Sequence, residues 1–312
     1  MTGTVACLGE CMMELVARPG GTLTRGFGGD TLNTAVYLAR LGVPTAYVSA
    51  LGDDTFSDEM IASWQAEGIQ TDGVLRVPGR LPGLYMIQTD DTGERRFFYW
   101  RDSAPVRQVF ALPETPLVEA ALLAADTIYL SGISLSLFGD AGRERLFALL
   151  GRARSGGTRV VFDGNFRPRG WPDLPLARAV YDRIYACSDI VLASVEDDML
   201  LYGESDADIL LSRLRAARVP ESVVKLAHPA CHVVHAAEAV LVSAEPVSDV
   251  VDTTAAGDSF AAAYVAARRA GLSPEASARA GHRLAGAVVR HRGAIIPRDA
   301  MPATLFTPEA AP

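Results

Sequence analysis

Apolar positions along this chain switch between short continuous runs, the mark of buried strands, and a spacing near 3.6, the mark of helices. Thr4-Val5-Ala6-Cys7-Leu8-Gly9-Glu10 predicts a buried strand ending in a glycine turn. From Thr31 to Leu41, apolar residues fall at Leu32, Ala35, Val36, Leu38, Ala39 and Leu41, a helical spacing closed by Gly42. Ala46 to Leu51 predicts a second strand turned at Gly52-Asp53-Asp54, and Phe56 to Glu67 a helix stopped by Gly68. From Asp126 the alternation continues. It predicts strands at 127–130, 159–162, 189–192 and 222–225, with helices over 142–154, 174–186 and 209–217. A strand pair follows at 231–234 and 239–242, then two alanine-rich helices over 256–270 and 274–290. This order predicts an α/β fold with a largely parallel sheet covered on both faces. No internal repeat or low-complexity linker interrupts it, and the Ala/Pro-rich tail after Ala300 reads as peripheral.

The stretch from about Gly73 to Arg101 breaks the pattern. Gly83-Leu84-Tyr85-Met86-Ile87-Gln88-Thr89 and Arg95-Arg96-Phe97-Phe98-Tyr99-Trp100 flank Asp90-Asp91-Thr92-Gly93, which carries hairpin-turn chemistry. An aromatic-rich antiparallel hairpin set into a βα chain suits a lid over a site, a subunit contact, or both. Standing alone it would expose a large apolar face, so burial against a second subunit is expected.

A length of 312 residues fits one large α/β domain, alone or with a small accessory layer. The formal charge of −8 disfavours general nucleic-acid binding, yet leaves room for an anionic ligand held by a few arginines. No apolar run is long enough to span a bilayer, and the N-terminal residues from Met1 show no signal-peptide pattern. A cytoplasmic protein is expected, with Cys7, Cys11, Cys187 and Cys231 as free thiols. Lys225 is the only lysine, a bias attributed to genome composition. It lies in Val223-Val224-Lys225-Leu226 and not in a Gly-Lys-Ser/Thr loop, which excludes a P-loop. His228, Cys231, His232 and His235 lie close in sequence, but a strand would put His232 and His235 on opposite faces. They read as incidental, and no metal-ligand set is assigned.

The run Val250-Val251-Asp252-Thr253-Thr254-Ala255-Ala256-Gly257-Asp258-Ser259-Phe260 carries the sharpest chemistry. A strand end passes through small residues into a helix starting near Ala256. The first N–H groups of a helix lack internal acceptors, and its dipole adds positive potential, so Ala255, Ala256 and Gly257 outline an anion hole. Asp258 in the first turn is placed to take a hydroxyl proton. A Gly-Asp pair alone would better suit an acidic helix start beside small packing residues, which is common.

The whole run resembles the second signature of the PfkB (ribokinase-like) family of carbohydrate kinases, Asp-Thr-x-Gly/Ala-Ala-Gly-Asp-x-Phe. Arg25-Gly26-Phe27-Gly28-Gly29-Asp30-Thr31-Leu32-Asn33-Thr34-Ala35 resembles the first, Gly-Gly-x-x-x-Asn. A plain turn would explain Gly28-Gly29 alone; two matches in order make coincidence a weak account. Segments from Gly9-Glu10-Cys11-Met12-Met13-Glu14-Leu15 to His291-Arg292-Gly293-Ala294-Ile295-Ile296-Pro297-Arg298 look like the branch of the family that phosphorylates 2-dehydro-3-deoxy-D-gluconate, a sugar acid.

This resemblance implies one ribokinase-like domain over 1–312, a three-layer α/β/α sandwich with a mainly parallel sheet. It also implies a small β-sheet lid from segments of approximately 11–27 and 73–104. It implies that Gly29, Asp30 and Asn33 contact the sugar acid, that Tyr85 and Tyr99 hold it from the lid, and that Arg101 and Arg167 lie near. A carboxylate matches the bidentate fork of arginine, though a solvated loop or hairpin would account for either arginine alone. For ATP the resemblance implies Asn165, Arg167, Ser194, the segment of Lys225 and Ala227, Gly257 and Gly293. Magnesium on the phosphates is implied too, while the sequence leaves open whether a monovalent cation binds near Asp252. Two departures fall on the nucleotide side. Many family members have Asn-x-x-Glu where this chain has Ser194-Val195-Glu196-Asp197. Leu226-Ala227-His228-Pro229-Ala230 replaces a glycine-bearing turn. The alternatives are another sugar kinase of the family, acting on fructose or ribose, and a non-catalytic sugar-binding regulator.

Overall fold

Strand β1 (Val5–Leu8) shows why this chain layers as it does. Its residues alternate between two cores: Ala6 and Leu8 join one, Val5 and Cys7 the other. A strand buried on both faces needs cover on both, and helices supply it. The computed structural model of the chain describes residues 3–89, 95–236 and 238–306.

After β1 come β2 (Met12–Ala17), β3 (Leu23–Gly28), α1 (Asp30–Arg40), β4 (Thr45–Gly52), α2 (Thr55–Ala66), β5 (Val74–Val77), β6 (Leu84–Thr89) and β7 (Arg95–Trp100). The middle holds α3 (Thr115–Leu123), β8 (Thr127–Ser131), α4 (Gly132–Leu137), α5 (Asp140–Ser155), β9 (Arg159–Asp163), α6 (Leu174–Ala186), β10 (Ile190–Ser194) and α7 (Val195–Tyr202). The last part holds α8 (Ala207–Ala216), β11 (Glu221–Lys225), β12 (Ala230–His235), β13 (Glu238–Ser243), α9 (Ala256–Arg269) and α10 (Pro274–Val288).

Among the described residues the main sheet runs β13-β12-β11-β10-β9-β8-β1-β4-β5. It is parallel from β11 to β5, and β12 and β13 add antiparallel edges. Residues of α3, α5, α6 and α8 fill one core; residues of α1, α2, α9 and α10 fill the other. A separate sheet, β3-β2-β6-β7, pairs β2 parallel with β6 and has antiparallel outer pairs. The expected three-layer sandwich with a small second sheet is therefore what forms. No helix among the described residues is long and apolar enough to cross a membrane.

The hydrophobic pattern missed several elements. It predicts no strand at β3, whose Leu-Thr-Arg-Gly-Phe-Gly run starts with three exposed residues and has no apolar alternation to read. It likewise assigns neither β2 nor β5, and no helix at α3 or α7. Helix α7 carries Glu196, Asp197 and Asp198 in its first turn and bunches its apolar residues at 199–202, so no helical spacing shows. Pairing to neighbours, not local pattern, makes these elements. The expected turn at Asp90-Asp91-Thr92-Gly93 and the tail beyond 306 lie outside the described residues, while β6 and β7 pair antiparallel as a hairpin requires.

Helix α4 starts tightly against its neighbours. A Cβ on Gly132 would stand 1.7 Å from the Tyr181 hydroxyl and 2.1 Å from the Gly164 carbonyl oxygen. That hydroxyl donates to the same carbonyl at 2.6 Å, so neither atom can move freely. Gly132→Ala is expected to cost about 3 kcal/mol by overpacking. Urea unfolding would show it as a lower midpoint at unchanged slope.

Candidate active site

Parallel strands end on one edge of the main sheet, where open α/β sheets present their ligands. Ser131, Asp163, Ser194 and Lys225 close β8 to β11 at this edge. The N-termini of α1 and α9 meet there. The small sheet forms the facing wall with Met12, Gly28, Tyr85, Phe97 and Tyr99, enclosing a cleft of about 600 Å³.

Of the residues expected from sequence, Gly29, Asp30, Asn33, Tyr85, Tyr99, Asn165, Arg167, Ser194, Lys225, Ala255, Ala256, Gly257 and Asp258 line this cleft. Arg101, Ala227 and Gly293 are not among its lining residues.

Asp258 is half-buried, and its Oδ2 accepts a hydrogen bond from Asn33 Nδ2 at 2.8 Å. Its main-chain oxygen accepts from Thr34 Oγ1 at 3.2 Å, so α1 and α9 are tied at their N-termini. Burial pushes the Asp258 carboxyl up to about 8, and the nearby charges of Asp30 and Asp163 add to the rise. Asn33 and Lys225 oppose it. Asp30 accepts from Asn165 Nδ2 at 2.8 Å. Burial raises its pKa, and bonds from Ser131, the Thr31 amide and Asn165 limit the rise. Asn165 sits at φ 31°, a left-handed conformation that Asn tolerates better than most residues.

Lys225 places Nζ 3.4 Å from Asp163 Oδ1. Burial alone would lower its pKa, but Asp163, Asp197 and Asp258 outweigh burial and raise it. The ammonium therefore stays charged at neutral pH, a fixed cation in the cleft. Asp163 also accepts from the Tyr129 hydroxyl at 3.1 Å.

The anion hole differs in one respect from expectation. Ala255 adopts φ 59°, an uncommon left-handed conformation for a residue with a Cβ, and caps α9. The Ala256 N–H bonds back to the Thr253 carbonyl oxygen at 3.2 Å, so the turn itself uses that donor. The N–H groups of Ala255 and Gly257 have no main-chain acceptor among the described residues. Asp252 fixes the loop from below. It accepts from the Thr254 N–H at 3.0 Å, from the Thr254 hydroxyl at 2.7 Å and from the Gly293 N–H at 2.9 Å. Gly293 thus spends its N–H on Asp252 instead of facing the cleft. Beyond this loop, a second cleft of about 400 Å³ runs between residues 243–249 and α10, with Val247, Gly286, Ala287 and Arg290 on its walls.

Both arginines are engaged. Arg167 lies on the cleft and pairs with Asp197 at 3.1 Å. Arg101 forms an ion pair with Glu10, whose side chain is 3% exposed, and its guanidinium stands 6.0 Å from the Tyr99 ring. Burial pushes the Glu10 carboxyl up to about 7, against the pull of Arg101. The exposed hairpin charge suggested by sequence is therefore a largely buried pair, since the chain returns to the main sheet at this point. Sequence reasoning missed the roles of Glu10, of Glu14, which accepts a hydrogen bond from Tyr85, and of Asp163 beside Lys225. The position of Asp163 at a strand's C-terminal end was the available signal; the two glutamates gave none, because their partners lie far along the chain.

A mainly parallel sheet between two helical layers, with a small sheet closing one edge over a cleft, is the ribokinase-like architecture. The model of the pfkB family carbohydrate kinases matches residues 2–301, and the chain belongs to that family. It is 47% identical over 309 residues to the 2-dehydro-3-deoxygluconokinase of Dickeya dadantii, covering 97% of this chain and 99% of that protein. It is 44% identical over 310 residues to the enzyme of the same name from Escherichia coli, covering 97% and 100%. Among solved structures, the ATP-bound fructokinase of Xylella fastidiosa superposes with a TM-score of 0.82 at 26% identity, covering 97% of this chain and 96% of that one.

The raised pKa of Asp258 has a consequence for stability. The folded protein holds this proton to about pH 8, whereas an unfolded aspartate releases it near roughly pH 4. Between these limits the folded state binds more protons, so rising pH removes stability. Asp258→Asn should remove that loss. Thermal unfolding without ligands should show the variant's advantage over wild type larger at pH 8 than at pH 5.

Proposed function

We propose that the chain is an ATP-dependent kinase that transfers the γ-phosphoryl group to the terminal hydroxyl of 2-dehydro-3-deoxy-D-gluconate. The observation that carries this reading is the Asp258 carboxylate, held by Asn33 at 2.8 Å in the first turn of α9, beside free N–H groups of Ala255 and Gly257. Asp258 takes the hydroxyl proton in its ionised form, and its raised pKa makes that carboxylate a stronger base than an ordinary aspartate. The two N–H groups and the Lys225 ammonium stabilise charge on the transferring group. Gly29, Asp30 and Asn33 hold the sugar; Asn165 keeps Asp30 oriented. Arg167 supplies the cleft's cation for the acid, and Arg101 acts from behind Tyr99 through its pair with Glu10. The names of the Dickeya and Escherichia relatives favour the sugar acid over fructose.

ATP spans the anion hole and the second cleft, where Val247 and Ala287 offer apolar faces to a base. Ser194 and the segment of Lys225 and Ala227 border its phosphates, and Gly293 supports them through Asp252. Asp163, Glu196 and Asp197 line the first cleft. They form no ready-made cluster of three ligands among the described residues. That fits magnesium carried in on the phosphates, since this ion is commonly held by one or two carboxylates plus substrate oxygens. Such an ion neutralises phosphate charge. Potassium is the candidate monovalent ion near Asp252.

The small sheet acts as a lid over a single domain, excluding water that would compete as nucleophile. On β7, Tyr99 and Phe97 face the cleft, while Phe98 and Trp100 lie on the other face at 39% and 59% exposure. A second copy of the chain is the proposed cover. We place the enzyme in the cytoplasm, with no nucleic-acid or membrane partner.

A coupled assay of ADP release on the sugar acid, its galactose-derived epimer and fructose, with and without potassium, tests this reading. Turnover should depend on the sugar acid and should fall roughly a hundredfold or more in Asp258→Asn. Preference for fructose would overturn the substrate, and near-normal turnover of the variant would overturn the base.

A further inference from the structure

The strand register of the small sheet builds a row across its cleft-facing side. Glu14 lies opposite Gly26 on β3 and opposite Tyr85 on β6; Tyr85 in turn lies opposite Tyr99 on β7. Within this row the Tyr85 hydroxyl donates to Glu14 Oε2. A phenol has one proton to donate and lone pairs that accept, whereas a carboxylate only accepts. The direction of the bond is therefore fixed, and the proton of Tyr85 is spent on Glu14.

The surroundings hold this arrangement. A Cβ on Gly28 would stand 2.1 Å from the Tyr85 oxygen, and one on Gly26 would stand 3.3 Å from Glu14 Oε1. Both glycines of β3 thus leave room for the pair. The rings of Phe97 and Tyr99 lie with centroids 6.5 and 6.1 Å from that of Tyr85. Tyr85 lines the cleft, while Glu14 is not among its lining residues.

We propose that Glu14 is a positioning residue that locks the Tyr85 phenol as an acceptor, so that this wall of the cleft takes a hydrogen bond from a sugar hydroxyl and offers no donor to the acid's carboxylate. Burial, reinforced by Glu14, also pushes the Tyr85 pKa far above its ordinary value, so the phenol keeps its proton at every working pH. The assignment of the acceptor as a sugar acid rests on the function proposed above; the role of Glu14 toward Tyr85 holds for any sugar that the enzyme phosphorylates.

A double-mutant cycle decides it. Tyr85→Phe and Glu14→Met should each raise KM for the sugar about tenfold, the size of one lost hydrogen bond, with KM for ATP unchanged. The double variant should be no worse than Tyr85→Phe, because Glu14 acts only through Tyr85. Glu14→Gln retains an acceptor for the phenol proton and should stay within about threefold of wild type. Losses that multiply in the double variant, or a normal sugar KM in Glu14→Met, would overturn the proposal. If Glu14→Met does not fold, Glu14→Ala makes the same comparison. The cycle is run on whichever sugar the wild type turns over. A wrong substrate assignment then appears in the wild type, and the coupling between Glu14 and Tyr85 is still measured.

Discussion

The hydrogen bond from Asn33 to Asp258 joins two helix N-termini that are 225 residues apart in sequence. Everything else in the cleft is arranged around it. Helix α1 brings Asp30 and the glycine pair before it, and α9 brings the anion hole and the candidate base. A carboxylate in this position is costly without donors. Asn33 and Lys225 lower the cost without removing it, and the residual strain appears as a carboxyl poised near neutrality. The same balance that weakens the folded state at high pH is what the proposed base role of Asp258 draws on.

The two sheets divide the labour. The main sheet is buried on both faces, and its parallel strands end together at Ser131, Asp163, Ser194 and Lys225. Packed strands, not loops, thus carry these polar and charged groups, the positioning that the proposed phosphoryl transfer calls for. The small sheet is half-exposed, and its aromatic residues face the cleft on one side and solvent on the other. Its tie to the main sheet includes the buried pair of Glu10 and Arg101, which lie at the first crossing of the chain into the small sheet and its last return. A buried pair of this kind is a poor source of stability but strict about geometry.

Much of this fold was legible in the alternation of apolar runs, because a strand covered by helices on both faces has to be apolar throughout. The two signature runs were legible as well, since a tight turn of small residues into a helix leaves few residue choices. Strands β2 and β3 were not: β3 is an edge strand whose polar and glycine residues show no strand period, and the apolar residues of β2 follow no clear alternation, so pairing with β3 and β6 makes it a strand. Arg101 shows a second kind of limit. As a hairpin residue it reads as exposed, and only the return of the chain beside Glu10 buries it. Ala256 shows a third: a helix start promises free N–H groups, but the left-handed turn at Ala255 directs one of them back to Thr253.

By itself the sequence determined the sandwich, the family and the run that ends in Asp258, for these depend on local pattern and spacing. Only the tertiary structure decided which of the charged and polar groups meet. Asn33 with Asp258, Lys225 with Asp163, Glu14 with Tyr85 and Glu10 with Arg101 are contacts between segments tens to hundreds of residues apart. Coulomb and hydrogen-bond energies depend on distances of a few ångströms. Those distances are set by strand order and register, which no local pattern encodes.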